Sequence, residues 1–316
     1  MKNRLMKGSL AALVSLLATN AMAAKEVTVY TAFETDILAK YKNAFEKENP
    51  DIKIKWVRDS TGIMTAKLLA EKNNPRAEVV WGLAGSSMAL LKEEGLLQPY
   101  TPKGLDQLNA SLNDPQSNQA WFGNDAFFNA VCFNEAVAKQ LNLPKPTSWE
   151  DLTTPVYKGH IAMPNPASSG TGYMQVSAWL QNMGEAQAWN YMRDLDKNIA
   201  HYTHSGSKPC VQAGMGEVAI GISMASRGAK LKTQGAPLAV ITPKGIGWES
   251  EAVGLVKESD AAKRVVDWSI SKAANDLYVE MYPVVAHKEV KATVSNFPHG
   301  QKKIGKQDDA QRGRQQ

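Results

Sequence analysis

The run Pro164-Asn165-Pro166-Ala167-Ser168-Ser169-Gly170-Thr171-Gly172-Tyr173 holds residue types suited to gripping an oxyanion. It precedes Met174 to Met183, whose apolar spacing is that of a helix. A helix start carries unpaired N–H groups and partial positive charge, and hydroxyls and glycines beside it let an anion approach. The same residues would also serve as a plain N-cap and turn. Similar hydroxyl-rich turns recur along the chain: Tyr30-Thr31-Ala32-Phe33, Arg58-Asp59-Ser60-Thr61-Gly62, Ala84-Gly85-Ser86-Ser87 and Thr203-His204-Ser205-Gly206-Ser207-Lys208.

The elements between these turns alternate. Strands are expected at 26–30, 52–57 and 77–81, each followed by a helical pattern at 36–49, 61–72 and 86–94. A second block repeats the arrangement. Strands are expected at 160–163, 217–222, 238–241 and 251–256, with helices after Gly172, at 185–195, near 210–215 and at 261–272. Ala126 to Phe133 has no polar face and reads as a buried crossover. Strand–helix alternation of this kind predicts two α/β lobes built on parallel sheets and joined by more than one crossing segment. In such sheets ligands bind beyond the carboxyl ends of the strands, where all five turns fall.

Composition narrows the setting. Lys2, Arg4 and Lys7, the apolar run Leu10 to Leu17, and Ala21-Met22-Ala23 read as an export signal over 1–23. The chain has 36 Lys+Arg against 31 Asp+Glu. Setting aside 1–23 and the polar 299–316, expected to be a disordered tail, leaves 28 basic residues against 29 acidic. A near-neutral body argues against nucleic acid or an anionic membrane as main partner. Cys132 and Cys210 read as buried free thiols, with a disulfide as the alternative.

Catalytic signatures are weak. There is no G-x-S-x-G elbow, H-E-x-x-H, P-loop or dinucleotide fingerprint. Glu217 and Glu251 belong to no motif, His201 and His204 suit a capping role better than a metal, and no cofactor is expected. Trp81, Trp121, Trp179 and Trp189 read as core.

Several segments together resemble a known family: Val27 to Ala32, Asp59 to Gly62, Ala77 to Gly82, Tyr157 to Ala162 with Ser169-Gly170-Thr171, and Val211 to Glu217. Their order resembles that of periplasmic solute-binding proteins of ABC importers, in the ferric-ion-binding-like branch. Within it the chain is most similar to 2-aminoethylphosphonate-binding proteins. The resemblance implies a type 2 periplasmic binding protein, with two α/β lobes, a ligand cleft between them and hinge strands crossing twice. Lobe 1 is expected over 24–130 and 250–290 and lobe 2 over 131–249, with crossings near Ala130–Phe133 and Ala252–Val256. It implies a monomer that delivers a small phosphonate to a membrane permease without turnover.

Ferric members carry adjacent tyrosines after the strand matching 217–222, where this chain has Ser223-Met224-Ala225-Ser226-Arg227. The resemblance therefore implies that the anion half of the site survives, in Ser168, Ser169, Gly170 and Thr171. Ser60, Thr61, Ser205, Ser207 and Arg227 are further donors, and Thr31 and Ser86 stand at the converging turns. Glu34, Asp36, Glu249, Phe33 and Trp248 are the candidates to meet an amino group. The alternatives are a ferric-ion or other oxyanion carrier and, from another class, an exported hydrolase using Ser205 and Lys208.

Overall fold

The computed structural model describes residues 24–298; the export-signal and tail readings lie outside the described residues. The first alternating block forms β1 (Lys25–Thr31), α1 (Thr35–Glu48), β2 (Ile52–Arg58), α2 (Thr61–Ala70), β3 (Val79–Ala84) and α3 (Gly85–Glu93). A 14-residue strand, β4 (Trp121–Asn134), and α4 (Glu135–Leu141) follow. The second block comprises β5 (Ile161–Pro164), α5 (Gly170–Met183), α6 (Glu185–Asp196), β6 (Ile199–Thr203), α7 (Lys208–Met215), β7 (Ile220–Met224), α8 (Ala225–Thr233) and β8 (Leu238–Ile241). The chain returns through β9 (Trp248–Leu255), α9 (Asp260–Ser269), α10 (Lys272–Tyr278) and β10 (Val284–Val285).

The strands run in the order β2-β1-β3-β9-β4-β7-β5-β6, with β8 and β10 also pairing with β4. β4 joins two halves because it changes partners along its length. Trp121–Phe128 pairs with β9, while Asn129–Phe133 pairs with β7 and Val131–Asn134 with β8. Every residue of β4 is buried, Asn124, Asp125, Asn129 and Asn134 included, as expected of a crossover with no polar face. β1 is parallel to β2 and β3, and β5 is parallel to β6 and β7, so strand carboxyl ends from both halves turn toward the same region.

The crossings fall earlier than expected. The partner change at Phe128/Asn129 precedes Ala130. Ala252–Val256 lies wholly in the first half, because β9 pairs with β3 and β4 along its length. The second crossing is instead the segment before β9, where the Asn129 N–H donates to the Gly247 carbonyl at 2.9 Å.

Each half has its own aromatic core. Phe33, Tyr41, Trp81, Trp268, Tyr278 and Tyr282 pack in the first, and the Trp81 indole donates to the Tyr278 hydroxyl at 2.9 Å. Trp149, Trp179 and Tyr191 pack edge to face in the second. Trp189 is half exposed, contrary to the expectation that it is core.

Cys132 and Cys210 form a disulfide, correcting the expectation of free thiols. β4 and α7 hold their Cα atoms 5.3 Å apart, within bridging range. No periodicity in the sequence reports that approach.

Candidate functional site

Two helix N-termini meet between the halves. Ser169 caps α5, its Oγ accepting from the Gly172 N–H at 3.3 Å. Asn165 and the two prolines shape the turn that delivers it, with the Asn165 side chain accepting from the Ala167 N–H at 2.9 Å. The α5 start is tied to the crossing strands through Asn129, which donates to the Thr171 carbonyl at 3.2 Å and to Gln175 Oε1 at 2.9 Å. Opposite, Ser60 begins α2 in extended backbone, yet its hydroxyl caps nothing and is buried without a protein partner.

Between these ends lies a narrow cleft. Ser60, Thr61 and Arg58 line it from the first half, and Ser169, Gly170 and Thr171 from the second. Two like-signed helix ends brought together favour an anion between them, and the Arg58 guanidinium adds to that field. The remaining wall differs in character: Glu34 and Glu251 contribute carboxyls, Phe127 and Met224 apolar surface. Burial, reinforced by the charges of Glu34 and Glu249, lifts Glu251 to about 8. The cleft can therefore hold an oxyanion at one end and a hydrogen-bonding or cationic group at the other.

The halves are in contact around this cleft. The Gly62 N–H donates to the Ser168 carbonyl at 2.9 Å. His204 Nε2 lies 2.6 Å from Asp59 Oδ1. Arg227 on α8 reaches Glu34 Oε2 at 2.8 Å and Asp36 Oδ1 at 3.0 Å, and Ser207 Oγ donates to Glu34 Oε2 at 2.9 Å. Burial pushes the Asp36 carboxyl up, but hydrogen bonds from Arg227 and Lys230 outweigh it and hold the group well below the usual carboxylate range.

Five of the residues expected at the site come together on the cleft wall: Ser60, Thr61, Ser169, Gly170 and Thr171. Others stand elsewhere, for identifiable reasons. Phe33 is fully buried, its ring 5.4 Å from Tyr41 and lying against Gly82, where a Cβ would come within 2.4 Å. It belongs to the core, a correction to its reading as a cleft aromatic. Thr31 is also buried, its hydroxyl accepting from the Phe33 N–H at 3.1 Å. Ser86 is exposed and its N–H donates to Glu249, so neither lines the cleft. Trp248 stacks on Phe128 instead.

Ser168 donates to the His204 carbonyl at 2.9 Å, and Ser205 contributes its own carbonyl to Thr203. Ser207 and Arg227 stand behind Glu34 rather than on the cleft wall. The Arg227 reading as a direct ligand donor is thereby corrected, because its charge is engaged by two carboxylates from α1 and its N-cap. Arg227→Ala should weaken binding of differently charged ligands by a similar severalfold factor, with salt lowering wild-type affinity toward that of the variant. Titrations at low and high ionic strength check this.

Sequence reasoning passed over Arg58, Gly206, Phe127, Met224 and Glu251 as site residues. Glu251 had a signal: a lone acid heading the apolar run Ala252-Val253-Gly254-Leu255-Val256. Arg58 sits in a hydroxyl-rich turn, one residue before Asp59.

Two α/β halves joined by crossing strands, with a ligand cleft between them, define the type 2 periplasmic binding protein fold. The chain matches the bacterial extracellular solute-binding protein family over residues 74–302, and it belongs to that family. A Haemophilus influenzae protein of uncharacterised function is 32% identical over 250 residues, covering 77% of this chain and 72% of that protein. A probable ABC transporter periplasmic-binding protein, y4fP of Sinorhizobium fredii, is 36% identical over 118 residues, 37% of this chain and 32% of that one. Among solved structures, the periplasmic binding protein AfuA from Actinobacillus pleuropneumoniae, with fructose-6-phosphate bound, is 28% identical. It superposes with a TM-score of 0.79 over 91% of this chain and 96% of its own.

Proposed function

We propose that the protein is the periplasmic substrate-binding component of an ABC importer. In this reading it captures a small phosphonate, 2-aminoethylphosphonate first among them, and delivers it to the permease as a monomer without converting it. The observation that carries the ligand class is the pairing of two helix N-termini, α2 and α5, with their hydroxyls on one cleft. The amino group is assigned to the opposite wall, where Glu34 and Glu251 stand. Export to an oxidising compartment agrees with the Cys132–Cys210 bridge. Among the described residues no helix is long and apolar enough to cross a membrane.

A second ligand, a hexose phosphate, is favoured by the likeness to AfuA, whose structure holds fructose-6-phosphate. It would use the same oxyanion cradle and place hydroxyls on the two carboxyls. The ferric-ion reading has less support: the segment Ser223 to Arg227, which brings Met224 to the cleft, lacks the adjacent tyrosines the resemblance implies for a ferric carrier, and among the described residues there is no group of three or more His, Cys, Asp or Glu able to hold a metal ion.

Calorimetric titration with 2-aminoethylphosphonate, fructose-6-phosphate, phosphate, sulfate and Fe(III) tests the assignment. Tightest binding of aminoethylphosphonate is expected; tightest binding of the sugar phosphate would replace it with the second reading. A hydrogen bond to a charged group contributes about 1.5–3 kcal/mol. Thr171→Ala should therefore weaken phosphonate binding about tenfold or more. Unchanged affinity would remove Thr171 from the cradle.

A further inference from the structure

Behind the ligand cleft lies a second polar feature that the oxyanion cradle does not use. Asp125 on β4 and Glu251 on β9 are register partners in the strands that join the two halves. The β4–β9 pairing shifts between Gly123 and Asp125, and just past that irregularity the two acids stand directly opposite each other. Asp125 is 0% exposed, and its carboxyl meets that of Glu251 in a side-chain hydrogen bond. Glu251 is 8% exposed and lines the cleft, and it also accepts a hydrogen bond from the Tyr282 hydroxyl. The Tyr41 hydroxyl nearby is buried and unpartnered.

Two adjacent carboxyls this deeply buried cannot both stay ionised, so the pair holds at least one proton near neutrality. The groups facing it point the same way. Glu34 at the start of α1 and Glu249 on β9 add negative charge, while Tyr41, Tyr278 and the Tyr282 phenol beyond α10 are neutral neighbours. Arg58 also lines the cleft and adds positive charge to its wall. Burial raises Asp125 well above the ordinary carboxyl value and brings Glu251 to about 8.

We propose that Glu251, backed by Asp125, is the specificity-determining group for the amino end of the ligand, and that the pair releases one proton to solvent when that cationic end docks. The inference rests on the aminophosphonate reading and deepens it. The O–H bond of the shared proton breaks, the electron pair stays on the carboxylate, and the proton leaves to buffer. The ligand ammonium then takes the place of the proton as counter-charge. Selectivity follows from that exchange, because a phosphonate lacking an amine leaves the pair protonated. The sign is fixed by linkage: a site that loses a proton on binding binds more tightly as pH rises toward the free-state value, and no further above it.

The test is calorimetry of the intact protein with 2-aminoethylphosphonate and ethylphosphonate, each in two buffers of different ionisation enthalpy at pH 7. Release of about one proton is expected with the amine and none with ethylphosphonate beyond that of the phosphonyl group itself. Between pH 6 and 7.5 the affinity ratio of the two ligands should rise about tenfold per pH unit. Glu251→Gln should abolish both the release and the slope. Asp125→Asn, the second variant, should lower the proton release by removing the partner that holds the proton in place. Binding of aminoethylphosphonate with no proton release, or with a slope shared by ethylphosphonate, overturns the proton pair while leaving the ligand reading in place. Failure of both phosphonates to bind overturns the ligand reading and the pair together.

Discussion

Gly62→Ala is expected to weaken capture of every ligand by about a hundredfold or more while leaving the ligand-free protein as stable as before. The position lies in the first turn of α2, facing the turn that carries the oxyanion cradle. A Cβ built there would stand 2.3 Å from the Ala167 carbonyl oxygen, 3.1 Å from its carbon and 3.0 Å from the Ser168 oxygen. All three are backbone atoms, so no side-chain rotation relieves the overlap. The two turns would have to part by about an ångström to restore normal contact, breaking the bond from the Gly62 N–H to the Ser168 carbonyl. That same movement separates the α2 and α5 N-termini, whose joint field is proposed to hold the anion. The contact lies between the halves and not inside either, and alanine is a better helix former than glycine by up to about 1 kcal/mol. Melting of the ligand-free variant should therefore stay within about 2 °C of wild type or rise, while the ligand-induced rise in melting temperature is lost. Undiminished affinity would mean that the ligand is held by one half alone.

What could be read from the sequence was what depends on local order. Alternating strands and helices, the buried crossover at 126–133 and the hydroxyl-rich turn at Ser169-Gly170-Thr171 each declare themselves within a dozen residues. The misreadings share a different cause. Phe33 stands at a strand end like a ligand residue, but its ring turns onto Gly82, a contact set by β3 nearly fifty residues on. Arg227 has the chemistry of a phosphonate donor, and only the approach of α8 to the start of α1 lets Glu34 and Asp36 claim it. Glu251 went unassigned because its meaning depends on Asp125 across the ladder. Each is a long-range juxtaposition, and in a cleft closed between two halves such juxtapositions decide which polar groups remain for a ligand.

The disulfide is the clearest of these, and its removal should have the largest effect on stability. Cys132 and Cys210 are 78 residues apart, and both are fully buried. Closing a loop of that length removes chain entropy from the unfolded state worth about 4–5 kcal/mol. The bridge also packs within a small apolar cluster with Ala162, Ala213, Val218 and Leu238, under Gly228 of α8. Replacing both cysteines by alanine avoids burying a new hydroxyl and should lower the melting temperature by roughly 10 °C. A change below about 2 °C would show that the bridge constrains little. The enclosed loop decides where the loss is felt, since it contains β5, α5, α6 and β6 and therefore the whole Ser169-Gly170-Thr171 cradle. Anchoring its two ends on β4 and α7 holds that cradle to the strand that joins the halves. The variant should therefore lose protection first in the second half, with amide exchange in α5 and β5 rising before that in β1 and β2. Uniform loss across both halves would mean that they unfold as one unit and that the bridge stabilises the first half as much as its own.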